Sequence, residues 1–241
     1  MSLHDRVFGH IGHKHGSPGH GRDTAPHTEG RTIGWARHYD AVVTALTMGR
    51  AGRIREATVD LARIQPGDAV LDVGCGTGDL TLAAKSRAGA SGLVCGIDAA
   101  PEMIEVAKEK AKRAGADVTF QVNTIEALPF ADATFDVVLS SLMMHHLPDT
   151  LKRQGLAEVR RVLKPGGRLL ILDFKRPTSE RGRILTAAMM HSHLDTGVQD
   201  LPPLLQEAGF EKVESGDLEF SAIGFGVIGY AAGQTVESGP R

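Results

Sequence analysis

Cysteine is nearly absent from this chain. Two residues, Cys75 and Cys95, in 241 exclude a disulfide framework and match the usage of a reducing compartment. Aromatic residues make up only 5%, with a single tryptophan. Neither sign of charge dominates: 27 Lys and Arg against 29 Asp and Glu leave a net charge of −2, which gives no electrostatic case for nucleic acid as the partner. No run of about 18 apolar residues exists, so nothing reads as a membrane span. The opening stretch, MSLHDRVFGHIGHKHG, lacks the apolar centre of a secretory signal. The expectation is a cytoplasmic globular protein, and 41% apolar with 23% charged residues are ordinary for one. The length suits one domain with appendages and a substantial core.

What is abundant at the start is histidine. His4, His10, His13, His15, His20 and His27 all fall within residues 1–30, among many glycines. Imidazole is a common ligand for zinc, copper or nickel, but no cysteine or tight carboxylate cluster completes a shell. The segment reads as a polar leader, and no metal site is assigned. Residues 31–66 read as a helical cap. Ile54, Ala57, Leu61 and Ile64 recur at near-helical spacing, and Pro66-Gly67 ends the pattern.

The rest of the chain, 67–241, is organised around Val70-Leu-Asp-Val-Gly-Cys-Gly-Thr-Gly-Asp-Leu-Thr81. Ala69 to Val73 is a short apolar run, expected as a buried parallel strand. Gly74, Gly76 and Gly78 then turn the chain into a helix starting near Asp79. Glycine there lets a ligand approach the backbone and permits positive φ. The spacing is not the G-x-G-x-x-G that holds a pyrophosphate. Asp79 stands where the third glycine would be and Asp72 precedes the loop, so the two carboxylates are expected to repel phosphate. S-adenosylmethionine, with an ammonium, a sulfonium and a ribose, suits such a site. Leu93 to Asp98 reads as a second strand ending in a carboxylate, placed for ribose hydroxyls. Asp72 is expected near the methionine ammonium, backbone at Gly74, Gly76 and Thr77 against the cofactor, and Ala99 and Met103 on the adenine.

Further along, Pro101 to Gly115 reads as a helix, Asp117 to Val122 and Phe135 to Ser141 as strands, and Leu151 to Leu163 as a helix. Lys164-Pro-Gly-Gly167 is expected as a turn and Leu169 to Phe174 as a fifth strand. Such alternation implies a parallel, doubly wound α/β sheet with right-handed crossovers. Ile184, Ala187, Ala188, His191 and Leu194 suggest a helix, within about 176–200, over the sheet's carboxyl edge, where an acceptor lid would lie. Leu201 to Phe210 reads as a last helix, and Lys212–Phe220 with Gly224–Ala232 as a terminal hairpin.

Four blocks resemble the class I S-adenosylmethionine-dependent methyltransferases: VLDVGCGTGDLT, the Gly96-Ile-Asp98 strand end, Glu126-Ala-Leu-Pro-Phe130 with Phe135-Asp136, and Leu163-Lys-Pro-Gly-Gly167. Within that class, LKPGGRLLILDFKRP is similar to the menaquinone and ubiquinone C-methyltransferases. The resemblance implies a Rossmann-like, mostly parallel seven-stranded sheet with a reversed last strand. It implies S-adenosylmethionine as cofactor, S-adenosylhomocysteine as product and a small-molecule acceptor. It also places Thr124 and Ile125 at the adenine and Ser141 at the methionine end. Tyr39-Asp40 resembles a segment that covers the cofactor, although a hydrophobic staple docking the leader is an equal reading.

Methyl transfer is an in-line displacement, so alignment and water exclusion matter more than proton transfer. A general base is needed only if the acceptor loses a proton. His145, after the fourth strand, and His191, in the lid, are the candidate bases, with a structural or cofactor-lining role the rival for His145. Asp173 reads equally as a site residue and as a cap or ion-pair partner of Lys175 or Arg176. Met143, Met144, Met189 and Met190 hint at an apolar acceptor or are plain core. Cys75 reads as a compact gap filler. The rivals are a nicotinamide oxidoreductase, against which Asp79 weighs, and a non-catalytic protein retaining the fold to bind the cofactor.

Overall fold

A computed structural model describes residues 28–30, 36–47, 49–176, 197–218 and 228–237. Two helices, α1 (Ala36–Leu46) and α2 (Ala51–Leu61), precede the sheet. Then β1 (Ala69–Val73), α3 (Asp79–Ala88), β2 (Leu93–Asp98), α4 (Pro101–Ala114), β3 (Thr119–Val122) and β4 (Phe135–Ser141) alternate. A short 3₁₀ turn, Met144–His146, leads to α5 (Asp149–Val162) and β5 (Leu163–Phe174). A second such turn, Val198–Asp200, leads to α6 (Leu201–Glu207), β6 (Glu211–Asp217) and β7 (Ile228–Gln234).

The strands form one sheet in the order β3-β2-β1-β4-β5-β7-β6. β1 pairs in parallel with β2 and β4, and β7 runs antiparallel to β5 and β6. The reversed last strand is therefore present. All five residues of β1 are buried, which is why its sequence shows no polar alternation. Val70 faces a cluster with Val59 of α2 and Leu80, Ala84 and Ala88 of α3. Its neighbour Leu71 faces the opposite cluster with Leu156 and Val159 of α5 and Leu205 of α6. Helices thus cover both faces, and the order of strands reverses between β1 and β4. The crevice at their carboxyl ends is where ligands of open α/β sheets bind.

Pro101 opens α4 and Gly115, at φ +61°, closes it, as the sequence suggests. Two bounds differ. β5 starts at Leu163, not Leu169: Leu163 pairs with Phe135, and pairing resumes at Arg168 opposite Val137. Lys164–Gly167 is thus a bulge within the strand, with Gly166 at φ +76°. β7 ends at Gln234 because its antiparallel register with β5 runs on to Gln234 opposite Arg168. Residues 1–27, with their six histidines, Trp35, most of the expected lid (177–196) with His191, His193, Met189 and Met190, and residues 219–227 lie outside the described residues. No helix among the described residues is long and apolar enough to cross a membrane. Cys75 and Cys95 are free and buried.

Candidate cofactor site

After Val73 the chain turns through Gly74, Gly76 and Gly78 at φ +74°, +54° and +84°. The reasons for glycine differ along the loop. A Cβ on Gly78 would lie 2.8 Å from Phe120 Cζ and 2.9 Å from Ala107 Cβ, and one on Gly74 would run into Met143. At Gly76 the nearest atom would be a Tyr39 ring carbon at 3.8 Å. Gly74 and Gly78 permit close packing, whereas Gly76 leaves space for a ligand. Cys75 fills the gap beneath, packed with Ile104, Ala107 and Phe120, and burial pushes its thiol pKa well up.

The loop's amides are largely committed. Those of Gly74 and Cys75 both donate to Ile97 O at 2.9 Å, Gly78 N donates to Cys75 O at 2.9 Å, and Gly76 N to Asp98 Oδ2 at 2.9 Å. Few remain to cradle a phosphate. Asp79, by contrast, does not repel anions as the sequence suggests. Its carboxylate is paired with Lys110 Nζ at 2.7 Å and the Arg55 guanidinium at 2.8 Å. The charge argument fails at Asp79 because α4 and α2 bring cations to it, and the committed amides take its place.

Two adjoining cavities open beside the loop. The first lies at the carboxyl ends of β1, β2 and β4 and is lined by Asp98, Ala99, Met103, Thr124 and Ile125. The second lies between the loop and the helices α1 and α2, and its lining includes Asp72 and Thr77. Tyr39, Gly74, Gly76 and Ser141 line both. Every residue assigned to the cofactor from the sequence therefore borders one cavity or the other. Asn123, Leu142 and Leu147 border the first as well. Asn123 directly follows β3, so the end-of-strand rule would have found it. Leu142 carried no sequence signal, because its left-handed φ of +54° is set by β4 ending against β5, with Leu142 N donating to Leu172 O at 2.8 Å.

Electrostatics divide the two cavities. Asp98 accepts from Gly76 N and from Ala100 N, each at 2.9 Å, and burial raises its pKa. Asp72 is buried, with Oδ2 accepting from the Thr81 hydroxyl at 2.6 Å, while Oδ1 has no hydrogen-bond partner among the described residues. Burial pushes its pKa up to about 7, the Thr81 bond opposing and the Asp98 charge adding to the rise. Tyr39, on the shared wall, has its phenol pKa raised by burial and by the Asp98 and Asp40 charges. The next residue, Asp40, ties α1 to the loop: it accepts from Thr77 Oγ1 at 2.6 Å and pairs with Lys110 Nζ at 2.6 Å.

Residues 70–167 match the methyltransferase domain family. The ubiquinone/menaquinone biosynthesis C-methyltransferase UbiE of Hydrogenovibrio crunogenus is 30% identical over 206 residues, covering 74% of this chain and 80% of that one. The UbiE of Geobacter sp. strain M21 is 39% identical over 145 residues, 59% of this chain and 61% of that one. That match spans about three fifths of the relative's length. A crystal structure of a SAM-dependent methyltransferase from Aquifex aeolicus superposes with a TM-score of 0.60 at 25% identity, covering 76% of this chain and 89% of the other.

The chain belongs to the class I S-adenosylmethionine-dependent methyltransferases. The cofactor of such a methyltransferase fits the residues present. The unpartnered Oδ1 of Asp72 is a buried acceptor that an ammonium satisfies. The space over Gly76 admits the ligand, and each Asp98 oxygen retains acceptor capacity for hydroxyls.

The two adjacent histidines divide between the roles considered for this place in the chain. His146, not His145, lines the first cavity. His145 turns toward the sheet: its Nδ1 lies 2.6 Å from Asp173 Oδ1, and its ring meets Phe174 edge-on with centroids 5.2 Å apart. Asp173 pairs with neither expected cation, because Lys175 reaches Asp217 at 2.6 Å and Arg176 reaches Asp200 at 3.1 Å. Of the methionines, Met143 lines the cavity and Met144 is core.

Proposed function

We propose that this chain transfers the methyl group of S-adenosylmethionine to a small apolar acceptor, releasing S-adenosylhomocysteine. The observation that carries the reading is Asp72: a buried carboxylate with one oxygen unpartnered, in a cavity adjoining that of Asp98. When bound, the cofactor supplies a methyl group on a sulfonium for displacement. The chain's own residues hold and align. Asp98 takes the ribose, Asp72 the ammonium, Thr124 and Ile125 the adenine, and Ser141 the methionine end. Tyr39 closes the wall between the two cavities, and such desolvation strengthens every polar contact within.

The acceptor side of this reading rests on Met143 and Leu142 beside the cavities. The two relatives bear the name of ubiquinone/menaquinone C-methyltransferases, so quinone-type acceptors are the first class to offer. Of the candidate bases, His146 replaces His145 in this reading, since it borders the cavity. Two free, buried cysteines support a cytoplasmic setting.

The test is a transfer assay with S-adenosylmethionine carrying a labelled methyl, against demethylated quinones, phenols and amines of graded polarity. Label moving to an apolar member is expected. Cofactor binding without transfer to any member would instead support the non-catalytic reading.

A further inference from the structure

A third cavity, of about 260 Å³, lies between the end of α2 and the face formed by β5, β6 and β7. Its β5 wall begins at Arg168, level with Val137 near the start of β4, whereas the cofactor cavities meet β4 at its last residue, Ser141. That is about 13 Å along the strand, and no lining residue is shared with either cofactor cavity. Three cations converge here from three elements: Arg63 after α2, Arg168 on β5 and Lys212 on β6. Glu214 is the one acidic residue on the described wall. In a chain with a net charge of −2, this excess of positive charge is local.

The three cations are held differently. Arg168 is fixed, its Nε donating to Ala62 O at 3.1 Å and its Nη2 to Arg63 O at 2.7 Å. The rest of its five N–H donors remain for another acceptor. Arg63 and Lys212 have no side-chain hydrogen-bond or ion-pair partner among the described residues, and both stand at left-handed φ, +54° and +48°. Arg63 follows the C-cap of α2, a position that glycine ordinarily takes. Lys212 lies in a β-bulge: Glu211 is opposite Gln234 and Glu214 opposite Ala232, and a bulge re-aims the side chain it carries. Non-glycine residues rarely adopt that conformation. Of the four that do among the described residues, two are cations lining this one cavity.

Cations gathered without partners repel one another, and an anion between them turns that repulsion into attraction. The planar fork of arginine matches phosphate bidentately, and lysine adds a point charge. Leu61, 36% exposed on the same wall, offers an apolar contact that a bare ion would not use. We infer that this cavity binds a phosphate ester, with Arg63, Arg168 and Lys212 as its cationic wall and Leu61 against the esterified carbon.

Calorimetric titration with glycerol 3-phosphate and with inorganic phosphate, at one low ionic strength, tests it. Saturable one-to-one binding of the ester is expected, tighter than that of inorganic phosphate. Arg63→Gln combined with Lys212→Gln should weaken it by about tenfold or more, and Glu214→Gln, which removes the one acid, should tighten it. All three residues are exposed, so circular dichroism should show both variants folded as wild type is. Flotation with phosphatidylglycerol vesicles, against phosphatidylcholine vesicles, distinguishes the sources of the ester. Co-flotation that glycerol 3-phosphate competes away would place it in a lipid headgroup, and soluble binding without co-flotation in a free small molecule. No saturable binding of the ester, an affinity that the double variant leaves unchanged, or inorganic phosphate binding as tightly as the ester would overturn the assignment.

Discussion

Asp173 grips His145 at two points: Oδ1 lies 2.6 Å from the ring Nδ1, and Oδ2 accepts the backbone N–H of the same residue at 3.0 Å. Oδ1 also accepts from Phe174 N at 2.7 Å. Both side chains are nearly sealed from water, at 9% and 2% exposure. The pair staples the 3₁₀ turn after β4 to the end of β5, and that turn carries Met143 and His146 to the cavity. Asp173→Ala removes a buried acceptor serving three donors. Destabilisation of about 2–4 kcal/mol is expected by denaturant unfolding, whereas an exposed ion pair such as Lys175–Asp217 should cost under about 1 kcal/mol.

The glycine loop separates folding from binding. Gly78→Ala would force a methyl between Phe120 and Ala107 at positive φ, and a loss of roughly 2–4 kcal/mol in stability is expected. Gly76→Ala meets only Tyr39 at 3.8 Å. It should cost no more than about 1–2 kcal/mol in stability and show its larger effect in cofactor affinity. Thermal melts alongside titrations distinguish the two variants.

For Asp98, replacement by Ala should weaken cofactor binding by roughly 1.5–3 kcal/mol, the range for losing hydrogen bonds to a charged group. Calorimetry reads it. Unchanged affinity would remove Asp98 from the ribose.

Asp72 makes ligand-free stability depend on pH. Its pKa rises from an ordinary 3.8 to about 7 in the fold, so between those values the folded chain holds a proton that the unfolded chain has released. Stability from this group is full below pH 3.8 and is lost as pH climbs to about 7, a loss on the order of a few kcal/mol. Asp72→Asn should therefore raise the melting temperature of ligand-free protein at pH 8, the gain shrinking as pH falls toward 4. Cofactor affinity should drop in the same variant. Because an ammonium favours the ionised carboxylate, binding near pH 6 should release a proton, seen as a heat that varies with buffer ionisation enthalpy.

The parts legible in the sequence were those set locally. The apolar run Ala69–Val73, the spaced glycines and the carboxylate ending β2 each announce themselves within a few residues, and the residues read from them border the cavities. Long-range pairings were not legible. Asp79 looked like a bare charge because its partners, Lys110 and Arg55, lie 31 and 24 residues away on other helices. His145 and His146 are adjacent, and only the 28-residue reach to Asp173 decides which faces the cavity. The bulge at Lys164–Gly167 looked like a turn since Pro165 and two glycines signal one, yet pairing with β4 resumes beyond it.

The central claim is that the paired cavities hold S-adenosylmethionine, and titration calorimetry with S-adenosylmethionine, S-adenosylhomocysteine and NAD in parallel tests it most directly. Micromolar binding of the first two, with none of the third, is the result expected. Binding of NAD, or of none of the three, would contradict it.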